Sequence, residues 1–136
     1  MSWVLDSSLA LAWALPDEHS DDADHVLDHI STEDGFWVPA LWWYEISNAL
    51  LMAQQRKRIK EADRLRLIEL YGLLPLQTDT PSHPDTIRRF QEIALTYSLS
   101  AYDASYLELA LRKGLGLATF DRRLQEAAEK VGLNTI

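Results

Sequence analysis

Apolar residues fall along this chain in two rhythms. Short apolar runs, WVL at 3–5, GFWV at 35–38, LLPLQT at 73–78, LGLATF at 115–120 and LNTI at 133–136, have the length and flanks of buried strands. Between them lie longer stretches whose apolar positions recur every three or four residues, the helical period. A helix is expected from Ser7–Ser8 to near Pro16, and a second, acidic one over about 17–31. Pro39 suits the first turn of a long helix reaching about Arg56, and another over 60–72 ends at Gly72. SHPDTIRRFQEIALTYS (82–98) predicts a helix, as does the segment opened by Ser100 and stopped by Gly114, and RRLQEAAEKVG (122–132) predicts the last. Pro75 fits a sheet edge or a strand start better than a strand centre. Strands alternating with helices imply an α/β domain with a mainly parallel central sheet of four to five short strands.

Composition narrows this only a little. A chain of 136 residues, 47% hydrophobic and 25% charged, is expected to form one domain, residues 1–136, with a full core. The absence of cysteine excludes disulfides and thiolate metal sites. The opening MSWVLDSSLALAWALP lacks a basic region and carries Asp6 inside its apolar stretch, so it reads poorly as a signal peptide. No apolar run approaches the ~20 residues that span a bilayer, and a cytoplasmic location is expected.

The formal net charge of -8 speaks against a nucleic-acid partner if taken alone, since phosphate binding normally leaves a basic footprint. The charges are segregated, however. Residues 17–34 hold eight acids and no Lys or Arg, whereas RKRIK at 56–60, Arg88–Arg89, Arg112–Lys113 and Arg122–Arg123 are basic clusters. Acids gathered around a divalent cation also produce a negative total.

Four acids stand out by position. VLD-SSLALA and ATFD-RRLQEA echo one another as strand, Asp, helix. Ligands of open α/β sheets bind outside the carboxyl ends of the strands, which puts Asp6 and Asp121 at the expected site; each is equally a natural helix N-cap. Glu45 shares a helical stripe with Leu41, Ala49 and Met52, as a metal ligand or as a boundary residue reaching solvent. Asp103 completes a capping-box pattern with Ser100, yet its spacing to Leu107, Ala110 and Leu111 turns it toward the buried stripe. If the four converge, their repulsion at low effective dielectric is severe, and a divalent cation is the simple remedy. Oxygen-only donors select Mg²⁺ or Mn²⁺ over Zn²⁺. Such clusters serve phosphodiester cleavage, where the ion activates a water and neutralises the phosphate. His25 and His29 at i, i+4, with His19 nearby, are a weaker zinc candidate, because they sit among acids without a third ligand of defined spacing.

VLDSS, PALWWYEISNAL, LSAYDASYLELA and LATFDRRL, in this order and spanning nearly the whole chain, resemble the PIN-domain ribonucleases, and among them the VapC toxins of toxin–antitoxin pairs. The resemblance implies a three-layer α/β/α PIN-like fold and a metal-dependent endoribonuclease using Asp6, Glu45, Asp103 and Asp121. Asp6 and Asp103 are then the firmest ligands of Mg²⁺, for which Mn²⁺ substitutes, while Glu45 and Asp121 complete the shell and position the attacking water. Ser7 or Ser8, and Thr119, match polar positions of the family, and Asn48 lies one turn beyond Glu45. A homodimer and a cognate antitoxin covering the acidic pocket are implied too. Trp42–Trp43–Tyr44 serve either that surface or the core, and the basic clusters either hold RNA phosphates or form a solvated surface. Two rivals remain: a catalytically silent PIN-like interaction module, and a phosphoacceptor or phosphatase-like domain. The phosphatase version lacks an acid two residues after Asp6, where Ser8 stands, and the receiver version lacks a Lys on the last strand.

Overall fold

Trp3–Leu5 form β1, buried on both faces, as expected of a parallel strand covered by helices on each side. The computed structural model describes residues 2–18, 21–32 and 35–136. After β1 come α1 (Ser7–Ala14), α2 (Asp21–Thr32), β2 (Phe36–Pro39), α3 (Ala40–Gln55), α4 (Glu61–Gly72), β3 (Leu76–Asp79), α5 (Pro84–Tyr97), α6 (Ala101–Lys113), β4 (Gly116–Ala118) and α7 (Arg122–Lys130). The sheet runs β3-β2-β1-β4 with every pairing parallel. The chain winds one way from β1 through β2 to β3, then crosses to the opposite side of β1 to lay down β4. Because parallel crossovers are right-handed, that reversal puts α1–α4 on one face and α5–α7 on the other. The packing agrees: α1 meets α2 and α3, and α3 meets α4, while α6 meets α5 and α7. The three-layer arrangement is the one expected.

The reversal falls between β1 and β4, and their register decides what meets there. Trp3 pairs with Gly116, Val4 with Leu117 and Leu5 with Ala118, so the residues following the two strands emerge side by side. Gly116 makes this approach possible, since a Cβ there would lie 2.3 Å from Cζ3 of Trp3. Gly116→Ala is expected to destabilise the protein by about 1–3 kcal/mol through overpacking, read as a lowered urea midpoint at unchanged m-value.

Several boundaries differ from those expected, each for a local reason. Pro39 ends β2 and serves as N-cap of α3 instead of entering its first turn. The acidic helix begins at Asp21; Asp17, ahead of it, is bound by Arg58 through two bonds of 2.6 and 2.7 Å. β3 starts at Leu76, after Pro75, and occupies the sheet edge where that proline is tolerated. β4 is only Gly116–Ala118, because beyond it the Phe120 N–H turns to Ser8 and the Thr119 hydroxyl to the site described below, while the Thr119 N–H still reaches the Ile136 carbonyl. LNTI is no full strand: it runs beside β4 through a single bridge, Leu117 to Thr135, with N–H bonds from Leu117 to Asn134 and from Ile136 to Leu117.

The aromatic triplet divides. Trp42 is wholly buried and stacks edge-on against Tyr71, whose hydroxyl donates to the Ala10 carbonyl at 2.7 Å and ties α4 to α1. Trp43 and Tyr44 are exposed. Among the described residues, no helix is long and apolar enough to cross a membrane.

Candidate active site

Asp6 follows β1 directly and is only 4% exposed. It stands at the N-cap of α1 but makes no side-chain capping bond. Its Oδ2 instead accepts from Ser8 Oγ at 2.6 Å and from Thr119 Oγ1 at 2.7 Å. Those two hydroxyls also reach across the switch point: Ser8 Oγ accepts from the Phe120 N–H, and Thr119 Oγ1 from the Asp121 N–H. The β1 end and the β4 end are thus stitched together around one carboxylate oxygen. Among the described residues, Oδ1 of Asp6 accepts no hydrogen bond.

Asp121 does cap its helix, Oδ1 accepting from the Leu124 N–H at 2.9 Å, so the capping role holds for one of the paired Asp residues and fails for the other. Ser100 Oγ caps α6 by accepting from the Asp103 N–H at 3.1 Å. The residues from Ala104 to Ala110 are buried all around α6, while Leu111 is exposed, against the expected stripe. Asp103 is half-buried because it sits where this central helix emerges at the carboxyl edge of the sheet. Glu45, on the second turn of α3, is likewise half-buried and accepts from the Tyr106 hydroxyl through Oε1. Ser7, buried, bears on both Glu45 and Tyr106 as a hydrogen-bond partner.

Electrostatics ties the four acids together. Burial raises the Asp6 carboxyl above its ordinary value, the Ser8 and Thr119 hydroxyls oppose this, and the charges of Asp103 and Asp121 add to it. Glu45 is raised by burial, lowered by the Tyr106 hydrogen bond, and raised further by Asp6 and Asp103. Asp103 is raised by burial and by Asp121, with Ser100 and Arg123 pulling the other way. Tyr106 is held protonated by burial and by the neighbouring negative charges, which keeps its O–H a donor to Glu45. Arg123 offsets only part of the repulsion among these acids, and the donors on hand are carboxylate and hydroxyl oxygens. That set suits a hard divalent cation. Among the described residues, no three acid or imidazole groups stand close enough to enclose an ion by themselves. The donors present would hold a divalent cation through one or two carboxylates, with water completing its shell.

Of the remaining candidates, Asn48 is exposed and makes no side-chain hydrogen bond among the described residues. His25 is exposed, while His19 and the side chain of His29 lie outside the described residues. Most basic clusters are engaged internally: Arg89 and Arg112 both bond buried Glu108, Arg112 also bonds Asp79, Arg88 pairs with Asp85, and Lys113 lies 3.8 Å over the Trp37 ring. Arg123 is the cation whose charge bears on Asp103. Sequence reasoning missed Tyr106. Its signal was the spacing: three residues after Asp103, it shares that acid's side of α6.

A parallel α/β sheet with acids at its topological switch point is compatible with a PIN-type fold, and the chain belongs to that family: the PIN domain model matches residues 3–130. Within the family it is a VapC-type ribonuclease. It is 32% identical to Ribonuclease VapC9 of Mycobacterium tuberculosis over 93% of this chain and 91% of that one. It is 27% identical to Ribonuclease VapC3 of Pyrobaculum aerophilum, covering 93% and 94%. Among solved structures it is similar to PAE2754 from Pyrobaculum aerophilum, with a TM-score of 0.71 at 25% identity over 99% of this chain and 83% of that one. VapBC2 from Rickettsia felis, solved bound to a promoter DNA fragment, shares the fold with a TM-score of 0.71 at 11% identity, covering 100% and 98%. The phosphoacceptor reading falls with this assignment.

Proposed function

We propose that this chain, as a single PIN-like domain, is a Mg²⁺-dependent endoribonuclease and the toxin of a VapBC-type pair. The observation carrying this is the buried Asp6 carboxylate at the switch point between β1 and β4, held by the Ser8 and Thr119 hydroxyls through Oδ2, with Asp103 and Asp121 near enough for their charges to raise it. The names of its curated relatives support the activity. Asp6 Oδ1 and the Asp103 carboxylate would hold the cation, with Asp121 joining directly or through water. Bound there, Mg²⁺ (or Mn²⁺) supplies an activated water and offsets charge on the phosphate. The residues do the rest. Ser8 and Thr119 fix the rotamer of Asp6 by occupying Oδ2. Tyr106 donates to Oε1 of Glu45 and so orients the carboxylate, which would position the attacking water and take its proton. Buried Ser7 supports that pair. Asn48, one turn on from Glu45, lies where an exposed amide meets the RNA.

The same reading makes the protein a cytoplasmic homodimer whose cognate antitoxin covers the acids with its C-terminal segment. A direct test is incubation of the purified protein with labelled single-stranded RNA in Mg²⁺, Mn²⁺ or EDTA. Internal cleavage in either metal and none in EDTA is expected; intact RNA in all three contradicts the reading. Tyr106→Phe keeps the packing but removes the donor to Glu45. Hydrogen bonds to charged groups contribute about 1.5–3 kcal/mol, so kcat is expected to fall roughly tenfold or more, with KM little changed.

A further inference from the structure

Tyr44 and Tyr102 are 75% and 67% exposed, although large aromatic side chains usually bury most of their area. Each directly precedes one of the acids, Glu45 and Asp103, so each ring begins one Cα step, about 3.8 Å, from a site residue. The two rings line one depression of about 340 Å³, together with Leu41, Pro81 and Phe90 and with Asp79 as its carboxylate. That volume lies at the small end of the range for ligand pockets, about 300–1,000 Å³. Asp79 is the last residue of β3 and Pro39, also in the lining, the last of β2. The depression therefore opens at the same carboxyl edge of the sheet as the acids, toward β2 and β3, while Asp6 and Asp121 stand at the ends of β1 and β4. Neighbouring strands lie about 4.8 Å apart, so a step of one to two strands separates Asp6 from the depression, a reach on the scale of one nucleotide unit. Arg123, at the start of α7, borders the acids on the β4 side.

We propose that this depression receives a nucleobase of the RNA strand adjacent to the cleaved phosphodiester, stacked on Tyr44 and Tyr102, and that these two residues set where the strand is cut. The order across the edge is cation, acids, aromatic pair: Arg123 for a phosphate, the quartet for the scissile one, the rings for the next base. Single-stranded RNA is recognised by this combination of unstacked bases on aromatic faces and cations on the backbone. A largely apolar and aromatic lining with the Asp79 carboxylate at its side suits a base, which offers two apolar faces and an edge with N–H donors; Asp79 Oδ2 is already bonded to Arg112 Nη2 at 2.6 Å, leaving Oδ1 for that edge. Both rings are largely exposed, so replacing them leaves the core intact.

The inference rests on the ribonuclease reading of the acids, and two measurements separate the two. The first is binding of a single-stranded RNA oligomer, in Mg²⁺ buffer, to the Asp6→Asn protein with and without Tyr44→Ala and Tyr102→Ala. Base stacking on an aromatic ring is worth about 5- to 150-fold in affinity, so the Ala substitutions should weaken binding by that factor while Tyr44→Phe and Tyr102→Phe leave it nearly unchanged. The second is sequencing of cleavage ends from a mixed RNA pool. Wild type should show a base preference at one position beside the cut, the Ala variants should lose it, and the Phe variants should keep it. Cleavage and binding that ignore the Ala substitutions overturn the base pocket and leave the nuclease standing. Binding that depends on the rings in a protein that cuts no RNA overturns the nuclease reading and keeps the pocket. Failure of the Asp6→Asn protein with intact rings to bind RNA also overturns the pocket. If the Ala substitutions instead convert a dimer to a monomer in sedimentation, the depression is an interface between copies and the base assignment is wrong.

Discussion

Asp6→Asn is expected to lower Mg²⁺-dependent RNA cleavage by on the order of 10³-fold or more while making the metal-free protein more stable. The two effects have one cause. Asp6 is buried, and its carboxyl is raised by that burial and by the charges of Asp103 and Asp121. Asparagine has nearly the same shape and keeps a carbonyl oxygen for the Ser8 and Thr119 hydroxyls, so the stitching between β1 and β4 survives. What disappears is a desolvated, repelled negative charge, and with it the oxygen available to a cation. A group whose folded pKa is raised contributes stability that is present below its unfolded value and lost as pH rises through the folded one. The gain from Asn should therefore be absent in strong acid and appear as pH climbs above the ordinary carboxylate range. For a domain of this size each kcal/mol moves the melting temperature by roughly 3–6 °C. Melting curves of wild type and Asp6→Asn from pH 3 to 8 in EDTA check this; curves that separate most in acid would contradict it.

Metal removal is the second large effect. Asp6, Glu45 and Asp103 all carry raised pKa values in the metal-free protein, so metal-free stability from these groups declines as pH rises toward neutrality. A cation bound to the folded state alone reverses that decline by mass action, adding about 2.7 kcal/mol when free Mg²⁺ is 100 times its dissociation constant. The melting temperature should rise with Mg²⁺ or Mn²⁺ at pH 7 and scarcely move at pH 4, where the acids hold protons and compete with the metal. EDTA should abolish cleavage and the stabilisation together. Asp6→Asn should show little metal-dependent rise at either pH. A melting temperature that ignores Mg²⁺ in the wild type at pH 7 would falsify the counter-ion role.

These effects show why parts of the structure were readable in the sequence. Parallel strands covered on both faces read as unbroken apolar runs, so WVL and GFWV located β1 and β2, and the Asp closing two of the runs located the site edge. The acids drew notice because a charge at a strand end or on an apolar helix stripe conflicts with local burial; for Asp103 the stripe itself is not realised, since α6 is buried all around from Ala104 to Ala110 and Leu111 is exposed. Edges were less legible. LLPLQT and LNTI look like strands, but at the sheet margin pairing depends on partners distant in sequence, and only Leu76–Asp79 and one bridge at Thr135 are realised. The sequence left the basic clusters open between RNA contacts and a solvated surface, because Arg58 finds Asp17 and Arg112 finds Asp79 only after folding. Tyr106 was hidden as an ordinary core aromatic, since nothing local says that its hydroxyl ends on Glu45.

The most direct test is a crystal of this protein soaked in Mn²⁺ and measured at the manganese absorption edge. An anomalous peak within coordination distance of the Asp6 and Asp103 carboxylates, lost in Asp6→Asn crystals, is expected. Manganese absent from that edge of the sheet, or bound there equally well without the Asp6 carboxylate, would contradict a metal-holding role for these acids.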